Sequence, residues 1–207
     1  MIESGAVIVA AGHSSRMQNF KPMLSLGGST LIRHAVNTLI EGGTGDIVVV
    51  TGNKASFLEE HVRDLPVRCV FNPDYAACQM IDSARLGFAK ISADCKSIFF
   101  LPCDVPLFLP GTLAGLTETM KENCAAVVKP AYRGQPGHPV LIDCSLLPHI
   151  FAYAGGGGLA GALKEYGKPA LQMDCDDPGI LLDADTPEDY QKLLDYYEQS
   201  YPHNQYQ

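Results

Sequence analysis

The sequence predicts an α/β fold, a three-layer α/β/α domain built on a mostly parallel, twisted sheet. One observation is that continuous apolar runs recur along the chain, as is typical of parallel strands covered on both faces. A second is that segments with helical spacing alternate with these runs, and a third is that the connections are short. In such folds, ligands bind beyond the carboxyl ends of the strands. The expected strands lie at 5–11, 46–51, 68–71, 97–101 and 125–128.

The helices are indicated by apolar residues three and four positions apart. One such pattern runs from Leu31 to Leu39 and another from Phe57 to Val62. A last helix is expected to begin at 185–189, because Thr186 can cap it and a proline and acidic residues follow in the first turn. The four glycines at 155–158 are expected to form a loop or hinge.

Length and composition favour a soluble globular enzyme or binding protein over a nucleic-acid binder. The chain has 207 residues, for which we expect one domain over 1–199 and a flexible C-terminal tail over 200–207. Hydrophobic residues make up 46% and charged residues 18%, which excludes extended disorder. A net charge of −8 argues against a nucleic-acid surface, although it leaves room for a small anionic ligand.

The cysteine pattern and the hydropathy of the chain favour a cytoplasmic location. Seven scattered cysteines without a Cys-x-x-Cys pair are typical of reduced, mostly buried thiols. No signal peptide and no span of about 20 apolar residues is recognisable, so we expect no membrane partner.

The loop after the first strand combines small residues with positive charge. It reads AAGHSSRM at 10–17 and is followed by Lys21. Small residues let the backbone approach a ligand, and successive N–H groups can form a cup for an anion. Arg16 and Lys21 would add charge for a polyphosphate. An ordinary strand-to-helix loop with two solvated cations fits the spacing equally well, because it matches neither a Walker loop nor a dinucleotide-binding loop.

This loop resembles the signature of the molybdopterin nucleotidylyltransferase family, the MobA-like NTP transferases, which adopt the nucleotide-diphospho-sugar transferase fold. The resemblance implies a Rossmann-like sheet of seven strands with one antiparallel strand. Two departures from the family pattern are Gln18, where a glycine is usual, and an apparent extra residue at Cys78-Gln79. Five further blocks match in the same order, at 26–31, 72–87, 101–106, 137–141 and 183–190.

Asp104 and Asp185 are the candidate metal ligands. Asp104 follows an apolar strand, where a carboxylate has no packing role, and it can hold Mg²⁺ against a triphosphate. A turn-initiating aspartate is the alternative. Helix capping alone could explain the residues around Asp185, but in the resembled family the residue before Thr-Pro-Glu-Asp is the second metal contact.

The resemblance also implies roles for other residues. Lys21, Arg16 and Asp104 are the expected catalytic groups, and Asp104 and Asp185 would hold Mg²⁺, with Mn²⁺ as a substitute. Ser83, Arg133 and His138 are expected to contact the acceptor, although a loop histidine satisfied by backbone groups is an equal alternative for His138. Residues expected to bind the nucleotide are Ala10, Ala11, Gly12, Ser14, Arg16, Lys21, Gly52, Asn53, Asp74 and Asp104.

The reaction that the resemblance implies is transfer of CMP from CTP to molybdopterin, with release of pyrophosphate. Members that transfer CMP tend to carry Ala-Ala-Gly at the end of the first strand, as here, and those that transfer GMP tend to carry Gly-Gly. Ala11 would then place a methyl group where a guanylyl-type loop has only hydrogen. The product would pass to a molybdenum hydroxylase. The alternatives are a sugar- or alcohol-phosphate cytidylyltransferase and a non-catalytic protein that binds and delivers the cofactor.

Overall fold

A mixed sheet runs through the middle of the protein, and helices cover both of its faces. The computed structural model describes residues 3–12, 19–167 and 169–201. The strands, in chain order, are β1 (Ser4–Val9), β2 (Ser25–Leu26), β3 (Ser29–Thr30), β4 (Asp46–Thr51), β5 (Val67–Phe71), β6 (Ser97–Pro102), β7 (Val127–Tyr132), β8 (Gln135–Pro136), β9 (Val140–Asp143) and β10 (Leu171–Asp174). The α-helices are α1 (Leu31–Glu41), α2 (Ala55–Val62), α3 (Met80–Phe88), α4 (Pro110–Asn123), α5 (Leu147–Ala152), α6 (Gly158–Glu165) and α7 (Pro187–Ser200). Short 3-10 helices lie at Lys21–Met23, Cys144–Leu146 and Pro178–Leu181.

The order of strands in the main sheet is β10-β7-β9-β6-β1-β4-β5, with β8 paired to β7. The pairs β6–β1, β1–β4, β4–β5 and β10–β7 are parallel. Strand β9 is antiparallel to both of its neighbours, β6 and β7, and β8 is antiparallel to β7. The predicted α/β/α class is therefore confirmed. The sheet has the expected seven-strand path with β9 reversed, and β8 adds a short eighth strand.

Two of the expected strands include residues that are not in a strand of the structure. The first apolar run extends to Ala11, but β1 ends at Val9. The run at 125–128 also starts too early, since β7 begins at Val127. Cys124 adopts a left-handed conformation and the Ala125 amide donates to the carbonyl of Met120, so these residues close α4 instead of starting a strand.

Alternate residues of the central strand enter two separate cores. Ala6 and Ile8 of β1 pack with α1, α2 and α4 on one face, whereas Val7 and Val9 pack with α3, α5 and α6 on the other. Residues buried on both faces explain why the strands read as continuous apolar runs. A third cluster joins Leu26 of the β2–β3 hairpin to Leu193 and Tyr197 of α7.

Helix α3 approaches the sheet very closely at Gly87. A Cβ atom built on Gly87 would lie 2.4 Å from Cγ1 of Val7 and 2.9 Å from Cγ2 of Val50. A glycine is therefore required there for the last turn of α3 to pack this closely on β1 and β4.

The cysteine prediction is partly wrong. All seven cysteines are free, but only Cys95 and Cys103 are buried, and Cys124 is exposed at the end of α4. None of the described helices is long and apolar enough to cross a membrane. Helix α7 reaches Ser200 and Tyr201 stacks on Tyr197, with ring centroids 5.0 Å apart, while residues 202–207 lie outside the described chain.

Candidate active site

A cleft of about 220 Å³ lies at the carboxyl ends of β1 and β6. This is the place where the strand order of the sheet predicts a ligand. Its walls come from segments far apart in the chain: Val9 to Gly12, Lys21 and Pro22, Tyr75, Cys78 to Met80, Ser83, Pro102 to Asp104, and Asp185.

Three charged side chains meet in this cleft. The ammonium Nζ of Lys21 lies 2.9 Å from Oδ2 of Asp104 and 2.5 Å from Oδ1 of Asp185. Asp104 follows β6, and its carbonyl accepts a hydrogen bond of 3.1 Å from the amide of Ala184. That backbone contact places Asp185 opposite Asp104. The structure thus brings together three of the residues that the sequence singled out.

The two carboxylates hold Lys21 in its charged form. The Lys21 side chain is only 12% exposed, and Asp104 is 14% and Asp185 46% exposed. Burial alone would lower the pKa of Lys21, but the hydrogen bonds and charges of Asp185 and Asp104 outweigh burial and raise that pKa. Lys21 is therefore a cation at every physiological pH.

The donor set suits a hard divalent cation. Oxygens of Asp104 and Asp185 converge from two segments on one cationic atom, so the fold creates a position that favours positive charge. Mg²⁺ is commonly bound by one or two carboxylates together with substrate phosphates. The described residues contain no cluster of three or more His, Cys, Asp or Glu suited to a metal, so phosphate or water oxygens would complete the coordination.

The loop at 10–12 presents its backbone to the cleft. Ala10 and Ala11 are each only 2% exposed, and their methyl groups pack in the cores on opposite faces of the sheet. Ala11 also borders the cleft, so a role of its methyl group in selecting the base stays a prediction. Gly12 is exposed.

Gly52 and Asn53 support this loop and are not among the residues that line the cleft. The Asn53 amide donates to the Ala11 carbonyl over 3.5 Å. A Cβ atom on Gly52 would lie 2.6 Å from Cβ of Tyr75 and 2.7 Å from the Ala11 oxygen, so the backbone of Gly52 fills the space beneath the loop. Ser14, Arg16 and Gln18 lie outside the described residues.

Asn72 organises the segment after β5. It is 2% exposed, and its amide nitrogen donates to Oγ of Ser83 over 2.9 Å and to Sγ of Cys78 over 3.1 Å. Its side-chain oxygen accepts the amide of Asp74. Ser83 borders the cleft but already has this protein partner, and Asp74 lies exposed in the turn. Sequence reasoning missed the role of Asn72, although a polar residue directly after a strand was a usable signal.

The two remaining acceptor candidates differ in position. The His138 ring packs edge-on against Phe100, with centroids 6.3 Å apart, and its Nδ1 is buried without a hydrogen-bond partner among the described residues. Burial lowers the pKa of His138, and a Phe100 backbone hydrogen bond and the charge of nearby Asp104 oppose this only in part. Arg133 lies exposed at the β7–β8 turn over the Tyr132 ring, and neither His138 nor Arg133 is among the residues that line the cleft.

A third carboxylate, Asp183, was also missed. It accepts the amide of Asp185 over 3.3 Å. Burial raises the pKa of Asp183, and so do the charges of Asp185 and Asp104, although the Asp185 hydrogen bond opposes the shift. The alternating Asp-Ala-Asp at 183–185 was the available signal. Thr186 caps α7 as predicted, since its hydroxyl accepts the Asp189 amide over 3.2 Å.

Sequence relatives span most of the chain. It is 27% identical over 202 residues to nicotine blue oxidoreductase of Paenarthrobacter nicotinovorans, covering 91% of this chain and 95% of that protein. It is 24% identical over 185 residues to molybdenum cofactor cytidylyltransferase of Escherichia coli, covering 89% and 92%. A stretch of 77 residues is 43% identical to bifunctional IPC transferase and DIPP synthase of Rubrobacter xylanophilus, of whose length the match covers 18%.

Solved structures share the fold. A nucleotidyl transferase from Methanothermobacter superposes with a TM-score of 0.81 at 25% identity, over 96% of this chain and 99% of that one. The manganese complex of Rv0371c from Mycobacterium tuberculosis superposes with a TM-score of 0.76 at 20% identity, over 93% and 98%. This second likeness concerns the fold alone.

The family match covers the strands and loops that form most of the cleft. Residues 6–170 match the MobA-like NTP transferase domain, which includes Lys21 and Asp104 and ends before Asp185. With a strand order and a carboxyl-end cleft typical of nucleotide-binding α/β proteins, the chain belongs to the MobA-like NTP transferase family.

Proposed function

We propose that this protein transfers CMP from CTP to a phosphorylated acceptor of the molybdopterin type and releases pyrophosphate. One observation carries the proposal: the convergence of Lys21, Asp104 and Asp185 beside the exposed backbone of Gly12. A triphosphate is typically held by a cation, a metal ion and backbone donors within one cleft, and we assign these roles to Lys21, to the Asp104–Asp185 pair and to the loop at 10–12.

The reaction needs no protein nucleophile. An oxygen of the acceptor phosphate attacks the α-phosphorus of the nucleotide, and the bond from that phosphorus to the oxygen bridging to the β-phosphate breaks. The bonding electrons leave with pyrophosphate. Catalysis then depends on holding the two phosphates in line and on neutralising the charge that develops.

Each charged residue has a distinct role in this proposal. Asp104 and Asp185 would hold Mg²⁺ or Mn²⁺, which when bound neutralises phosphate charge. Lys21 would stabilise the leaving pyrophosphate, with Arg16 as a second cation. The base would be read by backbone groups of residues 10–12, because the alanine methyls there are buried.

The acceptor side of the cleft is proposed to include His138 and Ser83. The buried Nδ1 of His138 suits a polar atom of the acceptor, since an unpaired buried nitrogen is costly without a ligand. Ser83 would act together with Asn72, to which it is hydrogen-bonded. Similarity to a molybdenum cofactor cytidylyltransferase over 89% of the chain supports the choice of acceptor. A molybdenum hydroxylase is the partner that this proposal implies.

The test is release of pyrophosphate with each of the four nucleoside triphosphates. Each is assayed with Mg²⁺ alone, with molybdopterin, and with sugar or alcohol phosphates as acceptors. We expect release only with CTP and molybdopterin. Release with another acceptor would contradict the acceptor class and leave nucleotidyl transfer standing. Molybdopterin binding without any release would instead identify a delivery protein.

One further arm addresses a different reaction class. Because one relative is named an oxidoreductase, oxidation of reduced nicotinamide nucleotides is followed in parallel by absorbance. We expect none above the background rate of an Asp104→Ala variant. Oxidation of the nicotinamide nucleotide by the wild-type protein, without release of pyrophosphate, would overturn the proposal.

A further inference from the structure

Asp177 is a fully buried carboxylate outside the cleft, just before the 3-10 helix Pro178–Leu181. It is 1% exposed, and its oxygens accept three hydrogen bonds. Oδ2 accepts the Leu109 amide over 2.8 Å and the Thr112 hydroxyl over 2.5 Å, and Oδ1 accepts the Gly179 amide over 3.0 Å. A buried charge is tolerated only with such partners. Two of these donors lie at the start of α4, at the end of the loop that Asp104 begins.

The loop between Asp104 and Leu109 is tightly packed, so a shift at the start of α4 would also shift Asp104. Its apolar side chains at Val105, Leu107 and Phe108 are each less than 5% exposed. The turn after Asp177 lies directly on the middle of this loop: a Cβ atom on Gly179 would be 1.9 Å from the Leu107 carbonyl oxygen.

The same segment then reaches two further parts of the site. The Ile180 carbonyl accepts the amide of His138 over 3.0 Å, and the Ala184 amide donates to the Asp104 carbonyl over 3.1 Å. Residues 177–185 therefore run alongside 104–112, with contacts at both ends and in the middle. Asp185 reaches Asp104 because the two segments are held in this register.

We propose that Asp177 is a positioning residue that sets the separation of the Asp104 and Asp185 carboxylates and thereby the affinity of the site for a divalent cation bound to a nucleoside triphosphate. The inference rests on the proposed function, since it concerns the same two carboxylates. Asp177 itself touches neither metal nor substrate.

Groups that orient metal ligands typically change metal affinity about 10- to 100-fold when removed. We therefore expect Asp177→Ala and Asp177→Asn to weaken binding of Mn²⁺–CTP at least about tenfold. In Asp177→Asn the amide keeps one acceptor oxygen but turns an NH₂ group toward a backbone or hydroxyl donor. Its shape is unchanged, so this variant isolates the lost hydrogen bonds from packing.

The experiment measures water-proton relaxation of Mn²⁺–CTP titrated with protein, without acceptor, so that no turnover is required. Thr112→Val removes one donor and should weaken binding of Mn²⁺–CTP less than the Asp177 variants do. Thr112→Ser keeps the hydroxyl group and should bind Mn²⁺–CTP like the wild type. Leu39→Ala, a core truncation in α1, is the stability control. It should lower Tm and leave Mn²⁺–CTP affinity unchanged.

The outcomes separate this inference from the function on which it rests. Wild-type affinity in folded Asp177→Asn, or an equal loss in Leu39→Ala, would overturn the positioning role. Absence of Mn²⁺–CTP binding by the wild-type protein would overturn the proposed function, and this inference with it. If Asp177→Ala fails to fold, the positioning role is tested by Asp177→Asn and by the two Thr112 variants.

Discussion

The ammonium of Lys21 lies between the carboxylates of Asp104 and Asp185, so a change in any one of these charges alters what the other two face. Lys21 is 83 residues from Asp104 and 164 residues from Asp185 in the chain. Replacing one charged residue at a time therefore tests the role of each charge in the site.

Replacing Asp104 should remove turnover while leaving the fold intact. Asp104→Ala deletes one of the two carboxylates proposed to hold the metal, and charge stabilisation by a metal amounts to several kcal/mol. We expect pyrophosphate release to fall at least about 100-fold, with a normal circular dichroism spectrum. Glu60→Ala, which removes an exposed carboxylate from α2, is the control and should keep full activity. Retention of more than a tenth of the activity in Asp104→Ala would refute the metal role.

Replacing Lys21 should affect stability as well as turnover, because the side chain is not solvent-exposed. Lys21→Ala leaves Asp104 and Asp185 facing each other without their shared cation. We expect a lower Tm in metal-free buffer and partial recovery of Tm, but not of activity, when Mg²⁺ is added. Recovery of turnover by Mg²⁺ alone would show that Lys21 has no catalytic role.

The pH dependence of the Lys21 effect has a defined sign. Its pKa is raised in the folded protein, so its contribution to stability is complete below the unfolded value of about 10.4. That contribution is lost only as pH rises through the higher folded pKa. The Tm difference between wild type and Lys21→Ala should therefore not decline between about pH 7 and pH 9. A decline in that range would contradict the raised pKa.

At the scale of elements, the packing of α3 on β1 and β4 is tested by a pair of glycines. Gly87→Ala adds a methyl group 2.4 Å from a Val7 carbon, and overpacking of this kind costs about 1–3 kcal/mol. Gly111→Ala in the first turn of α4 meets nothing within 4 Å and should be neutral or slightly stabilising. Thermal unfolding checks both. Equal Tm values for the two variants would contradict the close approach of α3.

Helix α1 carries a partly buried histidine whose protonation should oppose folding. Nε2 of His34 donates to the Leu26 carbonyl over 2.8 Å, and the ring packs edge-on against Tyr197. Burial lowers the pKa of His34, and the Leu26 hydrogen bond only partly opposes this. The unfolded chain then binds more protons, so this contribution to stability decreases as pH falls below about 6.5.

The variant His34→Gln keeps a hydrogen-bonding side chain that does not titrate. We expect the drop in Tm between about pH 7.5 and pH 5.5 to be smaller in the variant than in the wild type. Urea unfolding at both pH values checks the same difference in free energy. An identical drop in both proteins would show that other groups control the acid response.

At the scale of the whole molecule, nucleotide preference should appear as ligand-dependent stability. At about 100 times Kd, a ligand that binds only the folded state adds about 2.7 kcal/mol, or roughly 5–10 °C in Tm for a chain of this length. We expect CTP with Mg²⁺ to give a shift of this size and GTP a smaller one. Equal shifts, or a larger one with GTP, would refute the cytidylyl preference and leave nucleotidyl transfer untouched.

The same measurement on Asp104→Ala provides a matched control. We expect the shift with CTP and Mg²⁺ to shrink toward the shift seen with CTP and a chelator, because the carboxylate proposed to hold the metal is missing. A full shift in the variant would indicate that the nucleotide binds independently of the metal site.

The sequence by itself determined several of the elements, because their signals are local. Apolar runs gave β1, β4 and β6 nearly at their observed positions, spacing gave α1 and α2, and the Thr186 cap gave the start of α7. It also placed Asp104 at the end of a strand, where parallel sheets bind ligands. These features depend on residues within one turn or one strand of each other.

Only the tertiary structure decided which of the candidate residues meet. Lys21, Asp104 and Asp185 converge, whereas Arg133 lies at an exposed turn and the Ala11 methyl enters a core. Two of the three hydrogen-bond partners of the buried Asp177, at Leu109 and Thr112, are 68 and 65 residues away, so the local sequence does not indicate them. Such contacts follow from the order of strands and the packing of loops across the sheet, and no short window of sequence encodes them.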